Sequence, residues 1–147
     1  MITISILGLD QYIVGRLSRD LTTNISKLYE VTEDDVIFVA PNNMVFHKGV
    51  EQTSWNVIVK VHAPMKVHIF QDEMANLLTI GLKEVAINTI VEFTYYSQDN
   101  RYESINKDYP RYISESNLSD LDLDISYEED VDDEDIYDGD VFEELDQ

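Results

Sequence analysis

Twice within the first 93 residues the apolar spacing switches from a period of two to a period near 3.6 and back, and this switching limits the available folds most. Ile2, Ile4 and Ile6 fall on one side of a strand, with Thr3 and Ser5 on the other. Gly8 follows, and Asp10 is placed to cap a helix. Ile13, Val14, Leu17, Leu21, Ile25 and Leu28 then recur every three or four residues, opposite Arg16, Arg19, Asp20, Thr23 and Lys27. The stretch Val36-Ile-Phe-Val-Ala40 predicts a short buried strand stopped by Pro41. Residues 41–49 read as two turns around a brief extended piece.

The second cycle begins at residues 54–64, where Trp55, Val57, Val59 and Val61 alternate against Asn56, Lys60 and His62, with Ile58 alone breaking the polar side. A helix over about residues 67–83 would bury Phe70, Met74, Leu77, Leu78 and Leu82. Val85, Ile87, Val91 and Phe93 alternate against Asn88 and Glu92 in the last strand. The expectation is an α+β domain over residues 1–93. Two β-α-β halves form a four-stranded sheet, with both helices on one face. The other face carries Thr3, Ser5, Asn56, Lys60, His62, Asn88 and Glu92. It is either wet in a monomer or lines a polar channel between subunits.

Residues 94–112 are a tyrosine-rich extension, and residues 113–147 have a different composition again. They hold 16 of the chain's 30 acidic residues and no Lys or Arg. The first 112 residues keep 14 acidic against 10 basic side chains, an ordinary mildly acidic balance. High charge with sparse apolar content predicts a disordered acidic tail. A calcium loop set on Gly139 would place Ile136 and Leu145 at its third and twelfth positions, where oxygen ligands are needed, so that loop fails. Apolar residues interrupt the acid, and Ile136, Tyr137, Val141 and Phe142, with Leu145, are candidate anchors for docking on a protein partner. Arg16, Arg19 and Lys27 could offer a target in cis, although they suit an ordinary solvated helix face.

With no cysteine, disulfides, thiolate metal sites and cysteine nucleophiles are excluded. Neither a signal-like N-terminus nor an apolar run of about 18–20 residues is present, so a cytoplasmic protein with no membrane span is expected. The acidic balance argues against nucleic acid as a partner. The open sheet face also lacks the aromatics on which a similarly arranged RNA-binding module stacks bases. Glycine-rich phosphate loops, G-x-S-x-G and H-E-x-x-H are missing, and no cofactor is implied. His62 and His68 could converge near Pro64, with His47 elsewhere, yet two histidines fall short of a zinc site, and no metal is expected. Lys60 and His62 are the best pair for holding an anionic ligand.

The doubled β-α-β pattern, residues 4–9 leading into the first helix and residues 36–49 carry a resemblance. So do Trp55-Asn-Val-Ile-Val-Lys-Val61, Phe70-Gln-Asp-Glu-Met-Ala-Asn-Leu-Leu78 and Asp99-Asn-Arg-Tyr-Glu-Ser104. Over about residues 1–107 the chain resembles the tautomerase superfamily, and within it a small bacterial group of tautomerase-like proteins. The resemblance implies a trimer whose sheets enclose a central barrel, the alternative being a ferredoxin-like monomer. It also implies keto–enol proton transfer by an N-terminal proline amine. Ile2 stands where that proline would be, and its bulk predicts that Met1 is retained. A free α-amine titrates near 7.7–8.0, within reach of general-base work. Met1, Lys60 and His62 are therefore the candidate ligand-binding residues. The leading expectation is a binding or interaction protein on a tautomerase-like scaffold. The alternative is a tautomerase of a small keto acid that uses a base other than proline.

Overall fold

The computed structural model of the chain describes residues 1–117. It divides into two compact units, Met1–Glu103 and a second that begins at Ser104. The expected disordered tail falls mostly on residues 118–147, outside the described residues. In the second unit, Asn117 Nδ2 donates to the Tyr112 carbonyl at 3.1 Å, and the Ser114 amide donates to Asn117 Oδ1.

The first unit is one four-stranded sheet with two helices packed on one face. Its strands and helices are β1 (Ile2–Leu7), α1 (Gln11–Tyr29), β2 (Val36–Val39), β5 (Asn56–Pro64), α2 (Gln71–Gly81) and β6 (Asn88–Tyr96). A separate small hairpin pairs β3 (Phe46–His47) with β4 (Val50–Glu51), where the turns of residues 41–49 were expected. The sheet order is β2-β1-β5-β6. Within each β-α-β half the strands are parallel neighbours, and the halves meet antiparallel through β1 and β5. A ferredoxin-like sheet splits each β-α-β unit, so this order excludes it.

Ile2, Ile4 and Ile6 bury against the helices as their alternation requires, and Val57, Val59, Val61 and Ala63 do so from β5. Asp10 caps α1, its carboxylate accepting from the Tyr12 amide at 2.7 Å. Val14, Leu17, Leu21 and Ile25 face the core at the expected spacing. The second helix begins as a 3-10 segment, Met65–Phe70, directly after Pro64 ends β5. Met74, Leu78 and Leu82 are fully buried from α2 and its end.

Three expectations about faces and ends are revised. Trp55 lies in a turn before β5, its amide bonded to the Gln52 carbonyl, and it is 58% exposed instead of in the core. Ile87 precedes β6 and is likewise exposed, while Val91 and Phe93 pack half-buried against the core. β6 also runs three residues beyond Phe93, through Thr94 and Tyr95 to Tyr96, because β5 continues pairing with it to the Pro64–Tyr96 register.

The turn between β1 and α1 requires a glycine at position 8. Gly8 has φ +87°, and a Cβ there would meet the Asn56 carbonyl oxygen at 2.7 Å. Gly15, inside α1, has open space around its missing Cβ. Gly8→Ala should therefore lower the unfolding free energy read from urea titration by more than about 1 kcal/mol, whereas Gly15→Ala should raise it by about 0.5–1 kcal/mol. Equal midpoints for the two variants would contradict this account of the turn.

Candidate functional site

The extra length of β6 carries Tyr96 to the end of the sheet where the chain begins. Pairing of Thr3 with His62 and of Pro64 with Tyr96 sets the start of β1, the end of β5 and the end of β6 side by side. Tyr96 is 8% exposed, and its hydroxyl grips Met1 twice. The Met1 amine donates to Tyr96 Oη at 3.2 Å, and Tyr96 Oη donates to the Met1 carbonyl at 2.7 Å. One side chain thus restrains the terminal residue at both of its backbone polar groups.

The Tyr96 ring has two further neighbours. His62 lies against it with ring centroids 4.9 Å apart and planes inclined by 32°. The Arg101 guanidinium sits 5.7 Å from its centroid, at cation–π distance. Arg101 arrives through a 3-10 turn, Gln98–Asn100, capped by Ser97, whose hydroxyl accepts from the Asp99 amide. The backbone at Arg101 is extended (φ −128°, ψ 130°), so residues 101 and 103 share a side while Tyr102 points away, 93% exposed. On that shared side the Arg101 guanidinium forms an ion pair with the Glu103 carboxylate.

Beside them lies a cavity of about 340 Å³ whose wall includes Met1, Asp35, Pro64, Lys66, Arg101 and Glu103, but neither Tyr96 nor His62. Burial lowers the pKa of the Met1 amine, and Arg101 adds to that effect. Asp35 and Glu103 oppose it, and Lys66 lowers it further; the balance lies below the ordinary 8.0. Burial raises the pKa of the Tyr96 hydroxyl, with the nearby carboxylates adding to the rise and Arg101 opposing it. Tyr96 consequently keeps its proton at neutral pH, and that proton is the one it donates to the Met1 carbonyl. The cavity brings together an amine whose pKa is lowered, the cationic side chains of Lys66 and Arg101, and the carboxylates of Asp35 and Glu103. Such a set can hold a small anion and can take a proton from it.

Of the three expected ligand-binding residues, Met1 lines the cavity, and His62 lies outside that lining, stacked on Tyr96. Lys60 does not line it. It lies on the open face one pleat farther along β5, opposite Ser5 on β1 and Glu92 on β6. His62 and His68 do not converge, because they meet consecutive residues of β6 that point to opposite faces. His62 stacks on Tyr96, and His68 packs edge-on against Tyr95. Among the described residues, no three His, Asp or Glu side chains come together to hold a metal ion. The docking candidates Ile136, Tyr137, Val141 and Phe142 lie outside the described residues. Tyr96, Lys66, Arg101 and Glu103 were not singled out from the sequence. The alternation Asn88, Glu92, Thr94, Tyr96 was the available signal for the first of them.

No protein-family model and no curated protein matches the sequence. Solved structures do match in shape. A domain of unknown function (DUF1904) from Sebaldella termitidis superposes with TM-score 0.63 at 20% identity, covering 70% of this chain and 95% of that one. A macrophage migration inhibitory factor-like protein from Entamoeba histolytica gives 0.55 at 11% identity, covering 70% and 93%. The macrophage migration inhibitory factor of Toxoplasma gondii gives 0.54 at 11% identity, covering 69% and 95%. The fold is tautomerase-like. Among the described residues, no helix is long and apolar enough to cross a membrane.

Because the Met1 amine is harder to protonate when folded, folding releases a proton between its folded pKa and 8.0, and stability should rise with pH across that window. An NMR titration of Met1 should give an amine pKa below 8.0. Arg101→Gln should move it upward while leaving the contribution of burial in place. A value at or above 8.0 in the unaltered chain would contradict the assigned burial.

Proposed function

We propose that this protein binds a small organic carboxylate in the cavity beside Met1, on a tautomerase-like scaffold that lacks the N-terminal proline. The observation that carries this reading is the convergence of the Met1 amine, Lys66 and Arg101 on one cavity of about 340 Å³. A cavity of that size suits a ligand of roughly a dozen heavy atoms, within the usual range for small-molecule sites of about 300–1,000 Å³. Charged hydrogen bonds from Arg101 and Lys66 would orient the carboxylate, with the Met1 amine facing the rest of the ligand. Phenylpyruvate is a suitable probe. Calorimetric titration should detect binding to the full chain, and Arg101→Gln should weaken it about tenfold or more. Equal affinity in the two proteins would remove Arg101 from the site, and no heat with either would end the proposal.

A second reading has its own support in the lowered pKa of the Met1 amine and its contact with Tyr96 Oη. In it the bound keto acid is also tautomerised: the neutral amine takes the carbon-bound proton and returns it to the enolate oxygen to give the enol, while Arg101 and Lys66 hold the carboxylate. Gain of enol absorbance from phenylpyruvate, abolished by acetylating the Met1 amine, distinguishes catalysis from binding alone.

For assembly we propose a trimer. The open face of the sheet sets Leu7, Ile58 and Ile90 in one cross-strand row, and Ile90 is 49% exposed. Covering that row with further copies would remove apolar surface from water. Light scattering on the full chain, 17.0 kDa per copy, should return the mass of three copies. The mass of one copy would leave the face wet and overturn the trimer.

A further inference from the structure

The cation best placed to take a ligand carboxylate is already holding one. Arg101 and Glu103 project from the same side of an extended segment, both line the cavity, and their side chains are paired. The pairing is local, since the two residues are separated only by Tyr102, which points into solvent. Contact between them is therefore a property of the segment and needs no rearrangement elsewhere. Asp35 also lines the cavity, but its carboxylate accepts from Thr32 Oγ1 at 3.2 Å.

We infer that Glu103 is a built-in competitor for the anion site, a carboxylate of the chain that occupies Arg101 until a ligand carboxylate displaces it. This rests on the anion-binding reading above and adds the regulation of that site. The chemistry is an exchange of one carboxylate for another on the same guanidinium, so it asks Arg101 for no new charge and no large motion. Both side chains keep contact with water, 29% and 35% exposed, so the pair is weak enough to exchange. A tethered competitor of this kind sets a threshold. Ligands offering a single weakly held carboxylate are excluded, and ligands whose remaining atoms also reach Lys66 or the Met1 amine are admitted.

The test uses calorimetric titration of the full chain with phenylpyruvate, with thermal melts on each variant to verify folding. Glu103→Gln keeps the side chain's size and removes its charge. It should tighten binding about fivefold, the release expected from an exposed ion pair worth about 1 kcal/mol. Asp35→Asn removes an equal charge from the same cavity and should tighten binding by distinctly less, because Asp35 does not occupy Arg101. In an Arg101→Gln background the gain from Glu103→Gln should disappear. A Glu103→Gln affinity equal to or weaker than that of the unaltered chain overturns the inference while leaving anion binding intact. So does a gain no larger than that of Asp35→Asn, or one that survives without Arg101. Absence of binding in both the unaltered chain and Glu103→Gln overturns the anion-binding reading and this inference with it.

Discussion

Two β-α-β halves share one core because β1 and β5 pair antiparallel with their apolar residues facing each other across the seam. Ile4 lies opposite Val61 and Ile6 opposite Val59, all at 1% exposure or less. Each such side chain stabilises the fold by about 1.5–3 kcal/mol through burial. The alternation also makes the register strict. A slip of one residue would turn Thr3 and Ser5 into the core and Ile2, Ile4 and Ile6 out of it. Through this seam α1, which covers the first half, and α2, which covers the second, come to pack on the same side.

The site inherits its geometry from the same register. With Thr3 opposite His62, the start of the chain lies beside the end of β5, and the parallel pairing of β5 with β6 brings Tyr96 there as well. An N-terminal amine on an acyclic residue would ordinarily be solvated and mobile. Here the Tyr96 hydroxyl bonds both the amine and the carbonyl of Met1, so the terminus is partly withdrawn from water. That withdrawal is the largest cause of the amine's lowered pKa, with the Arg101 charge second. Position and protonation state therefore share one origin, the packing of the strand ends.

Much of the fold was legible from residue spacing, since burial of one face writes a period of two or 3.6 into the chain. The α1 stripe, the Asp10 cap and the β1 and β5 core faces could all be read this way. Trp55 and Ile87 misled because they continue an alternation past the point where hydrogen bonds of the adjoining turns have ended the strand. Of the cavity, Met1 was legible as a chemistry-bearing residue at an end, while His62, legible on a polar face, sits beside Tyr96 and outside the lining. Lys60, on the same polar face one pleat farther along β5, does not line the cavity either. Arg101 and Glu103 sit in a polar stretch with no periodicity, where spacing carries no information about neighbours.

What the sequence alone determined is local in origin: the strand and helix positions, the apolar face of each, the glycine turn at position 8, and the confinement of most of the excess acid to the last 35 residues. These follow from interactions among residues a few positions apart and from solvent exclusion on a single face. The tertiary structure decided the sheet order, the continuation of β6 to Tyr96, and the meeting of Met1 with a tyrosine 95 positions away. It also decided the enclosure of Arg101, Glu103 and Lys66 around one cavity. Those depend on which strand ends are brought together by pairing across the sheet. A contact between distant residues leaves no periodic trace in a single chain.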